Sequence, residues 1–209
     1  MPLILELCCG WKSVSNSFKK LGWDVVTLDN TAKFKPTILG DVTTWDYQAY
    51  FDTHPVPDVV WASPPCRTFT KQAWARHRDG TGTATTNDAR NGDRCVRACL
   101  DCISHLRKRN RKLTFFVENP LHGAFRHLTC VQPLLRSGQY RAIQYGDYSP
   151  ETHSLKPTLV LTNCDRWVPI PITATKSTTP WNTLSKKQRT IIPDAVCDEI
   201  ALVCHQTLI

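Results

Sequence analysis

The chain has 209 residues, 41% hydrophobic and 21% charged, a balance that supports a packed core and excludes wholesale disorder. A net charge of +8 favours a polyanionic partner such as nucleic acid. No run of about 18 apolar residues occurs, so no membrane span is expected; the ten cysteines, several in core-like segments, read as reduced thiols of an intracellular protein.

The first element is the apolar run LILEL, Leu3 to Leu7, a buried strand broken at Glu6 by a carboxylate. Helical spacing follows in SVSNSFKKLG, with Val14, Phe18 and Leu21 on one side and Gly22 at its end. WDVVTLDN is a second strand closing on Asp29, and PDVVWAS a third that runs into the corner Ser63-Pro64-Pro65-Cys66. A helix is expected over 91–109 with Asn91 as its cap, then a fourth strand, KLTFFVENP, ending on Glu118-Asn119-Pro120. A shorter helical piece over 121–135 precedes two further strands, YRAIQYGDY and PTLVLTN. Residues 165–192 are rich in Pro, Thr and Trp and read as irregular, and a last helix is expected over 194–208. Strands alternating with helices predict an α/β domain whose largely parallel sheet is covered on both faces.

In such sheets ligands sit beyond the carboxyl ends of the strands. Glu6, Asp29, Cys66 and Glu118 all stand at strand ends, so their polar groups converge on one edge. A carboxylate followed by Gly10 suits a nucleoside, because glycine lets backbone approach closely, and Asp29 is placed to accept from ribose hydroxyls. Acids at strand ends equally serve turns. There is no G-x-G-x-x-G and no phosphate-cradling lysine loop, which argues against a dinucleotide or nucleoside triphosphate. Cys66 follows two stiff prolines and precedes Arg67 and Lys71, cations that favour a thiolate nucleophile; the competing reading is an inert buried thiol. Glu118 ends an apolar strand and is placed to exchange a proton.

The segments LELCCG, VVTLD, GDV, WASPPC, FFVENP, QYGDYSP with KPTLVLTN, and IPDAVCDEIA stand in an order that resembles the DNA cytosine-5 methyltransferases, above all the small ones of phages and large DNA viruses. The resemblance covers nearly the whole chain. It implies a Rossmann-like class I fold that uses S-adenosylmethionine, with residues 1–209 as one catalytic domain acting on DNA, or alternatively on RNA. A catalytically impaired nucleic-acid-binding homologue that needs a partner for target recognition is the other alternative. The resemblance makes Cys66 the nucleophile toward C6 of a flipped cytosine and Glu118 the group that holds and protonates N3. Asn119 and Pro65 would shape that corner. Glu6, Gly10, Asp29, Asp41 and Pro64 would line the cofactor site. The host cell's nucleus or cytoplasm is the expected setting.

Four departures from the family pattern stand out. Cys8 replaces an aromatic of the first motif; Pro120 stands where valine is frequent; His153 and Lys156 occupy the places of two arginines. Residues 164–192 are too few for a separate reader of base edges. The polar stretch 67–93 is expected to close over a bound base, with Arg67, Lys71, Arg76 and Arg78 meeting phosphates, as His153 and Lys156 would beside the base. Cys95, Cys99, Cys102 and His105 share one helical stripe, and a single helix cannot wrap four ligands around an ion, so core packing and no metal are expected.

Overall fold

The computed structural model describes residues 1–151, 155–173, 181–185 and 187–208. Seven strands form one sheet: β1 (Leu3–Leu7), β2 (Asp24–Asp29), β3 (Ile38–Leu39), β4 (Val59–Ala62), β5 (Thr114–Pro120), β6 (Tyr140–Gln144) and β7 (Pro157–Thr162). Their order is β3-β2-β1-β4-β5-β7-β6. The first five in that order run parallel, while β7 is antiparallel to both β5 and β6. The mostly parallel, Rossmann-like sheet expected from the alternation of strands and helices is therefore present, with one antiparallel strand inserted beside its edge.

Alternation along the strands builds two cores. Leu5, Leu7, Val60, Ala62, Phe115 and Val117 meet one helical layer, whereas Ile4, Val59, Trp61 and Phe116 meet the other. The first layer is led by α4 (Asn87–Arg109), which follows α2 (Tyr47–Thr53) and the one-turn α3 (Trp74–His77); Cys95, Val96, Cys99, Cys102, Ile103 and Leu106 of α4 are buried. The second layer pairs α1 (Ser13–Lys20) with α7 (Asp194–Leu208), through Val14, Phe18, Val196 and Ile200. Fully burying one such Leu or Phe side chain contributes about 1.5–3 kcal/mol. Two short helices, α5 (Gln132–Arg136) and α6 (Tyr145–Tyr148), complete the set.

The hydrophobic pattern locates β1 and α7 at their observed bounds. Elsewhere local chemistry shifts them. Helix α4 begins at Asn87, because Thr86 accepts from the Ala89 amide at 3.3 Å and Asp88 favours the first turn; Asn91 is interior. The expected strand 140–148 turns helical after Gln144, and the piece at 121–135 divides into a 3-10 turn (Ala124–His127) and α5. Among the described residues, 164–192 carry a single 3-10 turn, Trp181–Thr183. No helix of the described residues is long and apolar enough to cross a membrane.

Candidate active site

Parallel strands share one carboxyl edge, and there the segments after β1, β2 and β4 and the end of β5 enclose a cleft of about 730 Å³. Its floor is the turn after β1, where Cys8, Gly10 and Lys12 all have positive φ (55°, 49° and 59°). Glycine meets that demand without the Cβ clash a larger residue bears. The Gly10 amide donates to Asp29 Oδ2 at 3.0 Å, and Thr31 N donates to Oδ1 at 2.8 Å, which fixes the carboxylate at the mouth of the turn. Glu6 lines the cleft too, but its Oε2 accepts from the Ser15 amide (3.0 Å) and from the Ser15 hydroxyl at the start of α1. Burial pushes the Glu6 carboxyl up to about 7; the Ser15 hydrogen bonds offset only part of that. Asp41 is exposed on the rim and accepts from both the amide and the hydroxyl of Thr43 at 2.8 Å.

Two aromatic rings share the cleft lining with Cys8. Trp11 and Phe34 meet edge to face at 5.1 Å on the cleft wall, with Lys33 4.8 Å from the Phe34 ring and Lys187 4.8 Å from that of Trp11. The sequence reading missed both rings; an aromatic directly after a glycine turn was the available signal.

At the other end lies the proline corner. Ser63 N donates to Leu7 O (3.1 Å), Trp61 Nε1 to Ser63 Oγ (2.8 Å), and Phe69 N to Cys66 O (3.0 Å). Asn119, fully buried, donates from Nδ2 to the Pro64 carbonyl at 3.1 Å, so the end of β5 holds the corner that follows β4. Pro64 is buried, Pro65 exposed, and Cys66 half-buried facing the same cleft as Glu118 and Lys156. Lys156 Nζ lies 3.6 Å from Glu118 Oε1 and 4.7 Å from the centre of the Tyr145 ring. Burial pushes the Cys66 thiol up, Lys156 pulls it back, and Glu118 adds to the rise. A thiol, a carboxyl and an ammonium thus face one space, suited to nucleophilic addition coupled to proton transfer.

A Frog virus 3 protein named "Probable DNA (cytosine-5)-methyltransferase" is 31% identical over 173 residues, which span 79% of this chain and 72% of the viral one. The chain belongs to the DNA cytosine-5 methyltransferase family. No family model matches it. Among solved structures, a prophage-encoded E. coli protein assigned as a DNA modification methyltransferase superposes with a TM-score of 0.50 at 15% identity. That match covers 78% of this chain but only 46% of the prophage protein. The S. pombe Dnmt2 methyltransferase gives a TM-score of 0.48 at 13% identity, over 77% of this chain and 48% of its own.

The cations expected to meet nucleic acid separate into distinct groups in this family member. Lys71 and Arg76 are exposed on the segment after the corner. Arg67 borders the cleft, 2.6 Å from Asp88. Arg78 corrects the expectation. It is 3% exposed, and its guanidinium donates to the Thr68 and Gly82 carbonyls (3.2 and 3.1 Å) and to Asp93 (2.6 and 3.2 Å), beneath the ring of Phe69. A buried cation needs such partners, and here it clamps the loop, with no donor turned toward phosphate. His153 lies outside the described residues. Lys156 sits inside the site, on Glu118, a pairing the sequence reading did not anticipate.

Proposed function

We propose that this family member methylates C5 of cytosine in DNA, with S-adenosylmethionine as donor. The observation that carries the reading is the shared cleft of Cys66 and Glu118, braced by the Asn119–Pro64 hydrogen bond. The donor fits the other end. Trp11 and Phe34 offer apolar faces for a purine, Asp29 an acceptor for ribose hydroxyls, Asp41 an acceptor at the rim, and Gly10 a close backbone approach. Bound there, S-adenosylmethionine supplies an electrophilic methyl group.

The chain's own residues then have separable tasks. Cys66, as thiolate, adds to C6; the electron pair of the C5–C6 double bond moves toward C5 while a proton from Glu118 reaches N3. Lys156 favours the thiolate electrostatically and neighbours the Glu118 carboxyl through the exchange. Pro64 and Pro65 keep the corner stiff, so that the sulfur meets the base without a search. Loss of the C5 proton to a base, return of the N3 proton to Glu118 and departure of the thiolate from C6 restore the aromatic ring, which keeps the methyl group at C5. Exposed Lys71 and Arg76 meet phosphates, and residues 164–192 stand in place of a target-recognition region.

The test is transfer of a labelled methyl group from S-adenosylmethionine to duplex DNA, single-stranded DNA and RNA, followed by sequencing of modified cytosines. Label at C5 in DNA supports the reading. Label on RNA alone replaces the substrate, and binding without transfer to any nucleic acid overturns the enzymatic assignment.

A further inference from the structure

Three cysteine sulfurs meet at the floor of the cleft, in a grouping that the helical stripe on α4 does not disclose. Cys95 and Cys99 stand one turn apart on the buried face of α4, and Cys8 reaches them from the turn after β1. The Cys8 and Cys95 sulfurs are 3.6 Å apart, and all three lie within 4.8 Å of one another. Cys102 and His105 do not join them; His105 packs edge-on against Tyr47 at 5.5 Å.

An ion held by three thiolates at about 2.3 Å needs its sulfurs roughly 3.8–4.0 Å apart, so the Cys8–Cys95 pair must open by tenths of an ångström and the pairs with Cys99 must close by at most about 1 Å. A single helix could not wrap an ion, but two elements can approach it from two sides. Cys8 and Cys95 both line the cleft, which gives an entry path and leaves a fourth position facing open space. The cleft lining is mixed in charge, with Asp29 and Asp41 beside Lys33 and Lys187, so the sulfur donors and not the surrounding field would select the ion. Cys99 and Cys102 are fully buried, whereas Cys8, packed at the edge of the same core, stays partly accessible from the cleft and is held at a left-handed φ that few non-glycine residues adopt.

We propose that Cys8, Cys95 and Cys99 form a three-thiolate site for one thiophilic d10 ion, Zn²⁺ or Cu⁺. Soft sulfur donors select such ions over Mg²⁺ or Ca²⁺. Each thiol that ligates releases its proton to solvent, so binding acidifies an unbuffered solution. The site opens into the cleft assigned to the methyl donor, but its test is metal binding alone and needs no methyl transfer.

The experiment titrates Co²⁺, as a spectroscopic substitute for Zn²⁺, into the reduced, metal-free full chain. Zn²⁺ then displaces it, and a parallel Cu⁺ titration runs against a colorimetric chelator. One equivalent should bind with a sulfur-to-cobalt charge-transfer band, and X-ray absorption of the Zn²⁺- or Cu⁺-loaded protein should count three sulfurs; the tighter ion identifies the occupant. Cys8→Ser, Cys95→Ser and Cys99→Ser should each lose an order of magnitude or more in affinity, while Cys102→Ser and Cys130→Ser bind as the parent does. Failure of the parent to bind stoichiometrically, or a band undiminished in Cys95→Ser and Cys99→Ser, overturns the site. So does isolation of a Cys8–Cys95 disulfide as the form that persists under the same reductant.

Discussion

Replacing Asn119 tests whether the end of β5 holds the proline corner that carries Cys66. Its Nδ2 donates to the Pro64 carbonyl at 3.1 Å in a fully buried position. Asn119→Ala removes the donor, strands that carbonyl away from water and leaves a small void. An unsatisfied buried acceptor costs about 1–3 kcal/mol, and the void adds a fraction more, so a loss of about 2 kcal/mol in urea denaturation is expected. Asn119→Asp keeps the volume but turns an acceptor toward the Pro64 oxygen, and should cost at least as much. Cys66 lies two residues beyond Pro64, so a corner relaxed by about 1 Å should cost ~10²-fold in single-turnover methyl transfer with little change in DNA affinity. Stability and turnover both near the parent in Asn119→Ala would refute the brace. So would an Asn119→Asp variant better than Asn119→Ala on both counts.

Lys156→Gln removes the cation that opposes the burial-driven rise of the Cys66 thiol. The thiolate is the reactive form, so the alkaline rise of the single-turnover rate should move to higher pH. Each unit of displacement lowers the thiolate population ~tenfold below the midpoint, and an unmoved profile contradicts the assigned role. A Cβ on Gly123 would fall 1.8 Å from the Phe69 carbonyl oxygen, so Gly123→Ala should destabilise by about 1–3 kcal/mol, read as a fall of several degrees in Tm. Arg78→Met leaves Asp93 and two carbonyls without their donor, and a loss of about 3 kcal/mol with faster proteolysis within residues 67–86 is expected. The salt dependence of DNA binding should be unchanged by Arg78→Met, whereas Lys71→Gln and Arg76→Gln should each reduce its slope by about 1.

The elements that were legible in the sequence are those written in local hydrophobic period, such as Leu3–Leu7 and Asp194–Leu208. The two-residue strand Ile38–Leu39 is too short to carry a period. The antiparallel direction of Pro157–Thr162 arises from pairing with Thr114–Pro120, nearly forty residues away, so no local pattern announces it. Cys66 and Glu118 were readable because proline punctuation and strand-end polarity are local signals, and the cleft brings them together. Arg78 looked like its basic neighbours, since nothing in the sequence distinguishes a cation folded under Phe69 from one in solvent. The approach of Lys156 to Glu118, the Trp11–Phe34 wall and the meeting of Cys8 with Cys95 are long-range products of the fold.

The central claim is that Cys66 bonds to the base while Glu118 assists, and trapping tests it most directly. Duplex DNA containing 5-fluorocytosine blocks loss of the C5 substituent, so incubation with S-adenosylmethionine should give a denaturation-resistant protein–DNA adduct. Peptide mapping should place that adduct on Cys66; it should vanish in Cys66→Ala and form much more slowly in Glu118→Gln. An adduct undiminished in Cys66→Ala, or none from the parent under conditions where DNA is bound, would contradict the account.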